Sequence, residues 1–458
     1  MINRNILEEL SPLFKPQGVA LIGASGNPGK IGRLYMDRFI ESGFGNLFPI
    51  NLKEKEILGI KAFPSVKEVP GDVDLAIILL PPEAVMQAVK DCVSKGVKGI
   101  VINSAGFGEG GNEGKVKEQE LVRIAREGGA RIIGPNCLGI YCPASKLPFP
   151  QGPSMDIGKV GIISQSGSLA DHFALVATSQ GIKFSKVISV GNQSDLKVND
   201  FLEYLGADPD TEIILSYLEG VVEGKRFHEL TREISEKKPI IVWKCGTSEA
   251  GARAAATHTG ALAGSPLVWE GVLRGNGVIR AGSFEEILDC VTVFHHCNLP
   301  RGNRVAIITG PGGPAVGTTD ACIRVGLEVP GLSEETKTVL NEVLPSVGTS
   351  AENPIDMSIT SAAVPEIYKD VIKILDQDHT IDMILAIGSG GGPFYKSIIE
   401  AVQEVEKPVV GCVMMPLEVI LEGYEKLGKH GIPFFPDPVR AAKALAKLAA
   451  YSNFRRSL

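Results

Sequence analysis

An alternation constrains this chain more than any single motif. Short, continuous runs of β-branched and other apolar residues are separated by stretches with helical spacing. GVALIGAS (18–25) is followed by KIGRLYMDRFIESG (30–43). NLFPINL, DLAIILLPP, KGIVINSAG and ARIIGPN follow as further apolar runs, with QAVKDCVSKG and KEQELVRIAREGG between them as amphipathic segments. Strand and helix alternating at this interval predict right-handed βαβ units on a parallel sheet. Continuous rather than every-second apolar positions predict a sheet covered on both faces.

The pattern breaks at the proline-rich stretch CPASKLPFPQGP (142–153) and resumes twice. KVGIISQSGSLADHFALVATSQG (159–181) and RVAIITGPGGPAVGTTDACIRVG (304–326) share one design. Each has a basic residue, an apolar run, a turn of small residues, and a helix ending at Gly181 or Gly326. TEIILSYLEG and IDMILAIGSGGG correspond further on. This repeat predicts two related α/β sandwiches after the first domain, joined near CNLPRGN (297–303). The expected domains are 1–145, 146–298 and 299–458.

Composition narrows the class. Hydrophobic residues at 44% and charged residues at 22% suit a folded globular chain. No apolar run approaches the ~18 residues of a membrane-spanning helix, so no membrane association is expected. The segment MINRNILEELSPLFKP does not read as a secretion signal. Eight cysteines without paired spacing argue against a disulfide framework and for a reducing, cytoplasmic location. The net charge of −7 is spread without basic blocks, which leaves no nucleic-acid footprint. Glycine and proline together reach about 18%, against roughly 12% in an average protein. The glycines gather at strand ends, where phosphate-binding turns lie.

The first such turn is Gly23-Ala-Ser25-Gly26-Asn27-Pro28-Gly29, between a strand and a helix. Amides at a helix start can hold a phosphate. The spacing is GxxGxxG, not the dinucleotide fingerprint GxGxxG. Where a ribose-binding acid is expected after the second strand, Asn51, Lys53 and Lys55 stand. A lysine there suits an extra phosphate, as on coenzyme A or NADP; a tight turn without ligand is the plain alternative. The turns Ser166-Gly167-Ser168 and Gly312-Gly313-Pro314 occupy matching positions in the repeat; singly each reads as a plain strand–helix turn, and as a duplicated pair they favour an anion site.

His258 lies in Ala254-Ala-Ala-Thr257-His258-Thr259-Gly260, among small residues, and reads as a loop histidine that either carries a phosphoryl group or does nothing. His295 and His296 end a helix, where a cationic ring favours the carbonyl ends. Glu219 closes an apolar strand at its carboxyl tip, where site residues gather; it either orients a histidine or caps the strand in solvent.

Together GASGNPGKIG, NSAGFGE, GPNCLG, SQSGSLA, YLEG, ATHTGALAGS and GPGGPA, in order along nearly the whole chain, resemble the α subunit of the ADP-forming acyl-CoA synthetases, relatives of succinyl-CoA synthetase. The resemblance implies a Rossmann-like coenzyme A-binding domain followed by two flavodoxin-like α/β domains. It implies coenzyme A contacts at Gly23, Ser25, Gly26, Asn27, Pro28, Lys53, Asn103, Ser104, Ala105 and Asn136. His258 resembles the phosphorylated histidine and Glu219 the carboxylate that orients it. Ser166, Gly167, Ser168, Gly312, Gly313 and Pro314 resemble the two helix starts that face the phosphoryl group. No ATP-grasp lid or metal-binding carboxylates are found, so the nucleotide half, with ADP or ATP and Mg²⁺, is expected on a separate ATP-grasp β subunit in an α2β2 heterotetramer. The implied reaction converts acyl-CoA, phosphate and ADP to acid, coenzyme A and ATP. A coenzyme A-sensing protein without turnover is the competing class. An NADP-dependent oxidoreductase is disfavoured by the glycine spacing.

Overall fold

The computed structural model describes residues 5–259, 264–310, 312–358, 366–388 and 390–458, with the backbone alone for 256–259. The chain divides into two compact units: Met1–Thr178 with Lys183–Arg280, and Ser179–Ile182 with Ala281–Leu458.

The first unit holds two sheets. The strands β1 (Val19–Ile22), β2 (Leu47–Ile50), β5 (Leu75–Ile78), β6 (Gly99–Ile102) and β7 (Arg131–Ile133) form one, in the order β2-β1-β5-β6-β7. All of its pairings are parallel. A small hairpin of β3 (Glu56–Ile57) and β4 (Ile60–Lys61) follows β2. Every residue of β1, β5 and β6 is buried, as continuous apolar runs require. The helices stop where the sequence supplies a residue free to turn left-handed: Ile31–Ser42 ends at Gly43 (φ 68°) and Pro82–Lys95 at Gly96 (φ 87°).

The second sheet contains β8 (Gly139–Tyr141), β9 (Ile157–Ser164), β10 (Phe184–Ser189), β11 (Ile213–Leu218), β12 (Ile240–Lys244) and β13 (Ile279–Ala281), ordered β13-β12-β11-β9-β10-β8. β8 comes before the proline-rich stretch in sequence, yet it pairs antiparallel with β10 at the edge of this sheet.

The second unit carries β14 (Val305–Thr309), β15 (Ile355–Asp356), β16 (Met383–Gly388), β17 (Val409–Val413) and β18 (Phe434–Phe435), in the order β15-β14-β16-β17-β18 and parallel throughout. Its terminal helix Pro438–Arg456 is held to the helix Phe284–His296 by Arg440, whose guanidinium grips both oxygens of Asp289 at 2.6 and 2.9 Å. His296, expected as a cation, is instead buried, and burial lowers its pKa to about 4, so the ring is neutral. Helix-end charge gives way to desolvation there.

With the edge strand β8 set aside, the three sheets share one order: the first strand lies between the second and the third. The repeat is visible in detail. β9 leads to the helix Gly167–Ser179 and a left-handed Gly181; β14 leads to Gly312–Arg324 and a left-handed Gly326, both glycines at φ 85°. In such open sheets, ligands sit beyond the carboxyl end of the first strand, where the winding reverses. The turns singled out in the sequence follow β1, β9 and β14.

Candidate functional site

Beyond the carboxyl ends of β1, β2 and β5 lies a cavity of about 650 Å³, its wall including Gly23, Ser25, Lys30, Asn51, Lys53 and Gln87. Two glycines make its floor. Gly23 has φ 99°, and a Cβ on Gly32 would stand 2.1 Å from the Gly23 carbonyl oxygen. The helix therefore begins close beneath the turn, where the Ile31 and Gly32 amides have no acceptor within the helix. Side chains set the turn itself. The Asn27 amide donates to Ser25 Oγ at 3.1 Å, the Gly29 amide to Asn27 Oδ1 at 2.9 Å, and Arg33 to the Gly26 carbonyl at 2.9 Å.

Asn51 closes the rim: its Nδ2 donates to the Ala24 carbonyl at 2.8 Å while its Oδ1 accepts the Lys53 and Glu54 amides. Glu54 is the acid that follows β2, and it is spent on the turn, accepting from the Gly26 amide and Asn51 Nδ2. That leaves Lys53, exposed and on the wall, together with Lys30, which the sequence reading did not single out. The wall also carries Asp91, whose carboxylate is paired with Lys67 at 3.0 Å, so the two ammonium groups at the rim make it a site for an anionic ligand.

Of the residues implied as coenzyme A contacts, Gly23, Ser25 and Lys53 line the cavity; Gly26, Asn27 and Pro28 belong to its turn. Asn103, Ser104, Ala105 and Asn136 are not among the lining residues. Asn103 Nδ2 donates to the Cys137 carbonyl at 2.7 Å, Ser104 Oγ to the Leu80 carbonyl, and the Asn136 amide to the Ser104 carbonyl at 3.0 Å. These turns are stitched to each other. Glu109 accepts the Gly106 and Phe107 amides and, with Glu118, the amide nitrogen of Asn192. Burial opposes ionisation of Glu109, but the Asn192 and backbone donors outweigh it and hold its carboxyl below the usual value.

A second site is built on β9, β11 and β12. Ser164 Oγ accepts the Ser166 amide at 3.2 Å, and Ser166 Oγ lies 3.2 Å from Ser168 Oγ at the start of the helix Gly167–Ser179. Between them Gln165 turns inward and is 2% exposed. Its Oε1 accepts the amides of Glu219 and Gly220, the latter at 3.1 Å, and its Nε2 donates to the Gly220 carbonyl at 2.9 Å. One glutamine thus locks the tip of β11 to the serine turn. Glu219 is 4% exposed, so it is no solvated strand end. The Tyr217 hydroxyl donates to Glu219 Oε1 at 3.4 Å. Burial drives that hydroxyl's pKa well up, which keeps it a donor.

His258 falls in the helix Glu249–Thr259, so its backbone is not the loop that the small residues suggested. Alanine is the strongest helix former, and the run Ala254-Ala-Ala continues the helix to that point. The placement of the His258 side chain lies outside the described residues. This helix packs against the short turn Gly108–Gly110, which brings the NSAGFGE segment to the histidine-bearing element. In the second unit, Gly312, Gly313 and Pro314 open the helix that follows β14, and a Cβ on Gly312 would meet Asp356 Oδ2 at 2.6 Å.

Three family models match in sequence: a CoA binding domain over residues 17–143, a succinyl-CoA ligase-like flavodoxin domain over 157–294 and a ligase-CoA domain over 305–458. Fold and sites therefore define a CoA-binding α/β protein of the succinyl-CoA ligase type. Among curated proteins, the acetate–CoA ligase (ADP-forming) II subunit α of Pyrococcus furiosus is 42% identical over 95% of this chain and 96% of its own. The I subunit α of the same organism is 40% identical over 97% and 98%. The dinucleotide forming acetyl-coenzyme A synthetase 1 of Ca. Korarchaeum cryptofilum, solved with phosphate and ADP, superposes with a TM-score of 0.89 at 32% identity, covering 98% of this chain and 97% of that one. The chain belongs to the α-subunit family of the ADP-forming acetate–CoA ligases. Its coenzyme A-binding fold and its α/β architecture are as the sequence implies.

Proposed function

We propose that this chain is the α subunit of an ADP-forming acyl-CoA synthetase, with acetyl-CoA as substrate. Its reaction is acyl-CoA, phosphate and ADP to acid, coenzyme A and ATP, reversibly. One observation carries the reading: a buried carboxylate, Glu219, is locked by Gln165 to a serine-rich helix start, in the unit that also holds the coenzyme A cavity. A protein that only senses coenzyme A needs the cavity and not this second construction.

The chemistry follows from those parts. Lys30, Lys53 and the glycine turn hold coenzyme A with its thioester at the first unit. A phosphate oxygen attacks the thioester carbonyl, the C–S bond breaks and the thiolate leaves as coenzyme A, giving an acyl phosphate. A ring nitrogen of His258 then attacks phosphorus; the P–O bond to the acyl group breaks and the acid leaves as carboxylate. Glu219 orients the ring, and the amides at Ser166–Ser168 carry the phosphoryl charge. The phosphoryl group passes to ADP on an ATP-grasp β subunit of an α2β2 assembly, where a bound Mg²⁺ would supply charge neutralisation of the phosphates. Support for that partner lies in the lengths of relatives. The acetate–CoA ligase I of Archaeoglobus fulgidus matches 96% of this chain at 38% identity, yet only 63% of its own length. Domains over 1–145, 146–298 and 299–458 suit the three matched spans, and a cytoplasmic setting suits the free cysteines.

The test is acid-labile label on the protein from radiolabelled phosphate and acetyl-CoA, with the β subunit present, for the wild type and His258→Ala. Label on the wild type alone is expected. Equal label on both proteins, or none on either, overturns the proposal.

A further inference from the structure

Lys244 ends β12 and is 5% exposed. Its ammonium donates to the Glu219 carbonyl at 2.8 Å and to the Cys245 carbonyl, and lies 5.1 Å from the centre of the Trp269 ring. Among the described residues it forms no ion pair with a carboxylate. A buried ammonium is costly unless compensated, and a methionine of similar length would fill this space without that cost. The charge therefore has a use beyond packing.

Its neighbours show what the use is. The Glu219 amide is fixed by Gln165 and the Glu219 carbonyl by Lys244, so the peptides on both sides of the residue are held and the direction of its Cα–Cβ bond is set. Trp269, on which the ammonium rests, belongs to the helix Pro266–Gly275, and its Nε1 is 3.1 Å from where a Cβ on Gly264 would stand. Lys244 thus ties the tip of β11 to the helix that follows the histidine segment. We infer that Lys244 is a positioning residue for phosphoryl transfer, aiming Glu219 at the histidine. The inference rests on the function proposed above.

Titration provides a readout that packing alone would not move. Burial lowers the pKa of Lys244, while Cys245, next in the chain, and Glu219, just past β11, raise it. Tyr217 on β11, which faces both Cys245 and Glu219, is a further titratable group there, and burial drives its pKa far up. Phosphorylation should therefore fall on the alkaline side as Lys244 loses its proton. The experiment measures phosphohistidine formation from acetyl-CoA and phosphate across pH, with the β subunit present, for Lys244→Met, Lys244→Arg and Cys245→Ala. A misdirected group costs about 100-fold in rate. That loss is expected for Lys244→Met, with coenzyme A affinity within about twofold of wild type. Lys244→Arg should regain at least tenfold of it and move the alkaline limb upward, while Cys245→Ala leaves the limb in place. A wild-type rate in Lys244→Met, an unmoved limb in Lys244→Arg, or a limb that follows Cys245 overturns the inference. His258→Ala separates the two failures: if it stays unlabelled while Lys244→Met matches wild type, only the role of Lys244 falls. If it becomes labelled, both fall.

Discussion

Asp171 sits in the first turns of the helix that opens at the serine turn, 1% exposed, with Oδ1 lacking a partner among the described residues. Burial raises its pKa to about 6, against the weaker pull of the Gln151 amide. A carboxyl whose folded pKa is raised holds its proton more tightly when folded, so stability is greatest below the unfolded value near 4 and falls as pH rises through about 6. The loss between about pH 4 and 7 is on the order of 2 kcal/mol. Urea unfolding of Asp171→Asn should show that segment flattened; an unchanged slope would refute the account. At the cavity rim, Lys53→Ala should weaken coenzyme A about tenfold and dephospho-coenzyme A hardly at all, the difference being one charge-assisted contact to the 3′-phosphate. Calorimetry with both ligands reads it directly, and equal losses would remove that contact. Gly32→Ala is harsher, because its methyl group would meet the Gly23 carbonyl and push the helix off the turn.

At the scale of strand, turn and helix, the lock at Gln165 is the part most open to test. Gln165→Met keeps the volume but leaves the Glu219 and Gly220 amides and the Gly220 carbonyl without their partner. The cost should be about 2–4 kcal/mol, with phosphorylation lost well before folding. Wild-type phosphorylation by a folded Gln165→Met protein would show that the lock is dispensable. Much of this construction was legible beforehand. The strands announced themselves as continuous apolar runs, the three turns as small residues after them, and Glu219 as a charge at the end of one. What hid was whatever depends on residues far apart in the chain. Gln165 reads as one polar letter in SQSG until its partners, 54 and 55 residues away, are seen. Lys244 looks like an ordinary charged strand end, and Glu54 like a solvated acid beside two lysines. The helix through His258 was missed because small residues suit loops and helices alike, and composition does not separate them. The short β8 was missed because its pairing with β10 is long-range and its neighbourhood is rich in proline.

For the whole molecule, the two compact units imply separate responses to ligand. Coenzyme A at a hundred times its Kd should stabilise the unit that contains the cavity by about 2.7 kcal/mol. In differential scanning calorimetry the transition of Met1–Thr178 with Lys183–Arg280 should rise while that of Ser179–Ile182 with Ala281–Leu458 stays in place. A uniform shift of both would mean that they unfold together. The edge strand β8 carries a further consequence. Because residues 139–141 complete the second sheet from the amino-terminal side, a fragment starting at 146 would leave the outer hydrogen-bonding groups of β10 bare. A bare edge recruits a copy of itself, so such a fragment should self-associate where one beginning before Gly139 stays monodisperse. The chain thus shields with its own preceding segment an edge through which it would otherwise aggregate.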